Sequence, residues 1–165
     1  MRRFPYHHHP LRLVALAAVF VAATSASAAG PSHGDGAIMI EPEELRWTDA
    51  ASVGPGVKMV VIEGDTKRPE PFTFRLKFPP DAKVEVHTHP VAERVTVISG
   101  TFHLGIGDTF DRAKTKPLKP GSVAIMQPGV KMFAYTNEET IIQLNGTGPW
   151  GISYVEKIEG QGTKR

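Results

Sequence analysis

The chain has 165 residues, with 19 Lys plus Arg, 17 Asp plus Glu and no Cys, for a formal net charge of +2. The length suits one domain with a tail. A composition of 41% hydrophobic and 22% charged residues is globular rather than disordered. The lack of Cys excludes disulfide staples, thiol catalysis and Cys-based zinc or iron–sulfur sites. The near-neutral charge argues against a nucleic-acid binder, which concentrates basic charge on one face.

The first thirty residues read as an export signal. Arg2, Arg3 and Arg12 give a basic start, Leu13 to Ala23 is an unbroken apolar run, and Ala26-Ser27-Ala28 is a small-x-small cleavage site. Cleavage is expected after Ala28. The apolar run is shorter than the roughly 20 residues a membrane span needs, so an uncleaved anchor is the lesser reading. His7, His8 and His9 belong to this leader and leave with it. The mature chain, residues 29–165, then carries 16 basic and 17 acidic residues, a balance of −1. It is expected in the periplasm or outside the cell, with no stable membrane association once the signal is gone. In an oxidising compartment a chain without Cys must hold by its core alone. A domain of this size buries about 70% of its unfolded surface, which makes that feasible.

Beyond the leader, residues 29–40 and 159–165 are expected to be flexible, and 41–158 to form the folded domain. Pro42–Trp47 is the one helix-like stretch. The rest alternates with period two and is dense in Pro and Gly. Phe72-Thr73-Phe74-Arg75-Leu76-Lys77-Phe78 is the clearest strand, with four apolar side chains facing a core. Further strands are expected over Lys58–Glu63, Lys83–His89, Arg94–Ser99, Thr101–Ile106, Ser122–Met126, Met132–Thr136, Thr140–Leu144 and Gly151–Glu156. Turn signals such as Pro79-Pro80-Asp81, Ser99-Gly100, Pro120-Gly121 and Gln127-Pro128-Gly129 separate them. Short strands at near-regular spacing imply an all-β sandwich or barrel. Lys114, Lys116 and Lys119 fall between strands, in a stretch read as a solvated loop rather than an anion site.

The residues that carry chemistry are His87, His89 and Glu93. Residues two apart on a strand share a face, so the two imidazoles point the same way. Pro90 ends the strand, the chain turns, and Glu93 opens the next strand with its carboxylate aimed back. Two His and one carboxylate on one side of an ion form a facial set that leaves positions open for substrate.

The spacing extends further. His87-Thr88-His89, three residues, Glu93, six residues and Gly100 resembles the first motif of the cupin superfamily. Gly121, five residues, Gln127-Pro128-Gly129 and an aromatic-rich strand to Asn137 resembles the second. The stretches VISGTFHLGIGDTFD and IIQLNGTGPWGISYV look like a group of small secreted single-domain cupins, and the likeness covers roughly residues 41–156. It implies an RmlC-like double-stranded β-helix, or jelly-roll barrel, with a site inside its mouth. It also implies a divalent ion, iron, manganese, nickel or zinc, on His87, His89 and Glu93.

Two departures from the family pattern bear on that site. The position that usually supplies a fourth His is Met132, and a late-strand position often occupied by His in related chains is Asn145. Three readings therefore stay open. A hard metal is held by the trio alone, with Gln143, Asn145 or water completing the shell. Copper is held through the soft thioether of Met132. Or no metal binds and Met132 is core packing. His103, by strand parity, sits opposite Phe102 and Leu104 and is read as a polar-face histidine, with a pocket-facing auxiliary ligand as the alternative. Trp150 and Tyr154 are candidates for the barrel mouth, core packing being the plainer reading. Asp81, where the first motif usually has Gly, tolerates the turn.

Two functions fit. One is a metal-dependent enzyme on a small organic molecule; the other is a non-catalytic cupin holding a small ligand or a metal. Fold alone does not separate them. A homodimer through edge strands is a further expectation.

Overall fold

The computed structural model describes residues 32–34 and 36–155. The export signal, the end of the last expected strand at Glu156 and the C-terminal tail lie outside these residues.

Thirteen strands follow in chain order among the described residues: β1 (Ser32–Gly34), β2 (Ala37–Met39), β3 (Thr48–Asp49), β4 (Lys58–Glu63), β5 (Pro71–Phe78), β6 (Lys83–Thr88), β7 (Glu93–Ser99), β8 (Phe102–Ile106), β9 (Thr115–Leu118), β10 (Val123–Met126), β11 (Met132–Tyr135), β12 (Thr140–Thr147) and β13 (Ser153–Tyr154). One sheet runs β10-β7-β12-β5-β4-β3 and faces a second, β13-β6-β11-β8-β9. From β5 to β13 the chain passes back and forth between the two sheets, which is the jelly-roll arrangement. The all-β barrel expected from the sequence is the observed architecture.

Alternation builds the core. Phe72, Phe74, Leu76 and Phe78 of β5 are buried while Thr73, Arg75 and Lys77 between them are half-exposed. On β12, Thr140, Ile142 and Leu144 point inward, and Ile141, Gln143 and Asn145 point out. Asp81 adopts a left-handed φ of 59° in the turn before β6, which its short side chain tolerates.

Residues 32–39 carry the hairpin β1–β2, which leaves the expected flexibility of the segment 29–40 untested. Other expectations need correction. The helix-like stretch shortens to a single 3-10 turn, Pro42–Glu44. The lysine-bearing stretch is not a loop throughout. Lys114 ends a 3-10 turn and Lys116 lies in β9, which pairs with β8. Pro117 is compatible with a strand there because β9 is the sheet edge, where a missing N–H breaks no ladder.

Gly105 on β8 faces the ring of Phe133 on the neighbouring β11. A Cβ at Gly105 overlaps that ring, and Phe133 is fully buried. Gly105→Ala is expected to lower stability by about 1–3 kcal/mol through overpacking. Urea unfolding checks this; a midpoint equal to that of the unsubstituted protein would show that the ring relocates freely.

Candidate metal centre in the barrel

The space between the sheets is not completely filled. An interior cavity with about 30 Å³ open to the centres of water-sized molecules lies between them. That is room for about two waters. Its walls are largely apolar, with Phe78, Val95, Leu104, Ile142 and Leu144 among them. The ionisable side chains facing it are His87, His89 and Glu93, and among the described residues neither Lys nor Arg lines it.

The two histidines face inward because β6 is irregular. Its pairing with β11 matches Val84 to Ala134 but His87 to Met132, so Glu85 and Val86 together oppose the single residue Phe133. This β-bulge shifts the alternation by one residue. Val84 lines the cavity, and beyond the bulge His87 and His89 line it as well. Unbroken alternation from Val84 would have turned both histidines outward. The chain then crosses to the other sheet, where Glu93 opens β7.

Hydrogen bonds fix the state of each imidazole. His87 Nδ1 donates to the Glu85 carbonyl at 2.7 Å, and His89 Nδ1 donates to the Gly151 carbonyl at 2.6 Å. A carbonyl only accepts, so Nδ1 carries the hydrogen in both rings and Nε2 is left for the cavity. Burial pushes His87 down to about 4, against the raising effect of its bond to the Glu85 carbonyl, so the ring is neutral near pH 7. Burial also pushes the Glu93 carboxyl above the usual range, against the opposing effects of His89 and Trp150. Glu93 Oε1 accepts a hydrogen bond from Trp150 Nε1 at 3.0 Å. The Trp150 ring stacks on His89 with centroids 5.3 Å apart and meets Phe74 edge-on at 4.9 Å. Trp150 is thus a positioning residue for two of the three groups.

His89 Nε2 lies 3.5 Å from Glu93 Oε2. Two donors at about 2.1 Å from one ion stand roughly 3.0–3.4 Å apart, so this pair nearly spans a shared cation. Among the described residues, however, no three His, Asp or Glu side chains are gathered closely enough to hold a metal ion as they stand. The donor chemistry suits a metal, and its geometry closes as a pair rather than a trio.

The remaining candidates divide by strand parity. Met132 lines the cavity. Gln143 and Asn145 do not. They project from the outer face of β12, where Gln143 accepts from Arg75 Nε at 3.0 Å and Asn145 donates to Thr73 Oγ1 at 2.8 Å. They are not available to complete a shell, because the neighbouring Ile142 and Leu144 take the inward places. His103 also faces out and stacks on Tyr135, with centroids 4.3 Å apart. Tyr154 stands beside His87 at 5.9 Å, its hydroxyl bonded to the Val53 carbonyl at 2.7 Å. Sequence reasoning left Trp150 ambiguous and passed over Met126, which also lines the cavity.

No protein-family profile and no curated protein sequence matches the chain. Solved structures do. An RmlC-like cupin from Shewanella frigidimarina is 20% identical, with a TM-score of 0.53 over 66% of this chain and 87% of that one. KdgF from Halomonas is 19% identical, with a TM-score of 0.52 over 66% and 91%. Salicylate 1,2-dioxygenase from Pseudaminobacter salicylatoxidans is 11% identical, with a TM-score of 0.51 over 62% of this chain but 31% of its own. The chain has the cupin fold. In this barrel His87, His89 and Glu93 lie on the inner wall, His87 and His89 from one side and Glu93 from the facing sheet.

Two substitutions probe this arrangement. Trp150→Phe keeps a ring against His89 but leaves Glu93 Oε1 without its donor. It is expected to cost about 1–3 kcal/mol in urea unfolding; an unchanged stability would mean that water replaces the indole N–H. Gln143→Ala, on the outer face, is expected to leave the affinity for any ion in the barrel within about twofold by calorimetric titration, since it breaks only the bond to Arg75.

Proposed function

We propose that the protein is an exported metal-binding cupin that holds a divalent ion at His87, His89 and Glu93 and presents it to a small organic molecule. The carrying observation is the pair His89 Nε2 and Glu93 Oε2 at 3.5 Å, beside an imidazole whose Nδ1 is committed to the Gly151 carbonyl. With Nδ1 committed to a carbonyl, Nε2 is the ring atom that faces the carboxylate oxygen. Such a pair gains from a positive charge between its members, either a proton or a metal ion. Backbone carbonyls on the distal ring nitrogens are the usual outer-shell support of metal-binding histidines.

When bound, a divalent ion supplies Lewis-acid or dioxygen-activating chemistry. The chain's own contributions are orientation and exclusion. The Glu85 and Gly151 carbonyls hold the rings, and Trp150 Nε1 holds the carboxylate. The apolar walls keep bulk water out. Among the described residues no Lys or Arg lines the cavity, so the charge of the bound ion would be the only positive charge a ligand meets there. The small cavity gives weight to a second reading, a non-catalytic metal-binding cupin, since it admits an ion with about two waters more readily than a bulky substrate. Export rests on the basic start, apolar run and small-residue cleavage site of the first thirty residues.

The test is elemental analysis of protein prepared without chelator. Near-stoichiometric metal is expected, falling at least tenfold in the His87→Ala/His89→Ala double variant with the fold retained by circular dichroism. Equal metal in both proteins, or none in either after incubation with iron, manganese, nickel, zinc and copper salts, would sink the proposal.

A further inference from the structure

The cavity offers a second kind of donor. Of the chain's five methionines, Met126 and Met132 line it beside His87, His89 and Glu93. Strand register brings each next to the polar cluster. Met132 on β11 pairs directly with His87 on β6, and Met126 on β10 pairs directly with Glu93 on β7. Directly opposite residues on one face hold their Cβ atoms about 4.5–5.5 Å apart, within reach of a flexible thioether. Both methionines are buried and line the cavity, so their side chains are within the barrel rather than in solvent. In a chain without Cys, thioethers are the only soft donors available.

Hard and soft ligands select different ions. A carboxylate suits divalent iron, manganese or zinc and contributes little to a cuprous ion, whereas a thioether does the reverse. The three hard candidates do not close as a group, and thioethers flank them from both sheets. We propose that the resident metal is copper, held as cuprous ion by His87, His89, Met132 and Met126, and as cupric ion by the two imidazoles with Glu93. This rests on the reading that His87 and His89 hold a metal, and it names which one. The two imidazoles are common to both donor sets; Met132 stands on the sheet of His87, and Met126 on the sheet of Glu93.

The experiment compares soft and hard ions on the exported protein. Cuprous ion is titrated anaerobically against a bicinchoninate competitor; silver ion, a soft surrogate that does not change oxidation state, and zinc are titrated by calorimetry. One cuprous or silver ion per chain is expected. Met132→Leu and Met126→Leu, which roughly conserve volume, should each weaken silver binding at least tenfold and leave zinc within about threefold. X-ray absorption of the silver-loaded unsubstituted protein should show sulfur in the first shell, a readout independent of any variant. Zinc bound without silver or cuprous ion, or a first shell of nitrogen and oxygen only, would overturn the copper assignment and leave the metal site standing. Failure of all three ions to bind would overturn both.

Discussion

The site depends on one extra residue in β6. A strand that alternated without interruption from Val84 would face its valines into the barrel and its histidines into solvent. The bulge at Glu85 and Val86 reverses the parity for the rest of the strand, so an apolar first half and a histidine-bearing second half share one inner wall. Bulges of this kind leave backbone groups out of the ladder. Here the carbonyl of the bulged Glu85 accepts the Nδ1 hydrogen of His87. The same irregularity therefore turns the ring inward and selects its tautomer.

The second constraint comes from the other end of the chain. The loop between β12 and β13 supplies the Gly151 carbonyl to His89 and the Trp150 indole to Glu93. Backbone bonds from Trp150 to Thr66 at 2.7 Å and from Gly148 to Glu70 at 2.9 Å tie that loop to the turn before β5. Burying two imidazoles and a carboxyl in an apolar barrel is costly unless each polar atom is satisfied. Among the described residues no buried side-chain nitrogen or oxygen lacks a partner. The cluster is held in shape by donors and acceptors that are mostly backbone, so its geometry is a property of the fold rather than of mobile side chains.

Most of the architecture was legible in the sequence because it follows from period-two patterning. The Phe72–Phe78 segment declares its inward face, and Pro and Gly mark the turns between strands. The weak points are physical. The segment around Lys116 reads as a loop because it is short, charged and contains Pro117, and it becomes a strand because β8 offers an edge to pair with. Gln143 and Asn145 are polar and near the motif in sequence, but parity with Ile142 and Leu144 sends them outward. The shared face of His87 and His89 follows from their spacing alone, whereas the bulge that aims that face into the barrel leaves no mark in composition. Trp150 could not be assigned from sequence, because its role depends on a loop closing over residues 57 and 61 positions earlier in the chain, Glu93 and His89.

A cupin barrel does not dictate its chemistry; the side chains at a few inward positions do. In this barrel two of the first motif's three groups have a methionine as cross-strand neighbour. His87 meets Met132 across one ladder, and Glu93 meets Met126 across another. Both partners are thioethers, which donate no hydrogen bond to the carboxyl and compete with it for no proton. Replacing either by an imidazole would add a nitrogen donor and a titratable group to a cluster whose existing rings are fixed by backbone carbonyls. Methionine instead fills the volume and keeps the wall apolar with a polarisable side chain. The fold fixes where these side chains stand, and under the proposed copper assignment the sulfurs at positions 126 and 132 set the preference among ions.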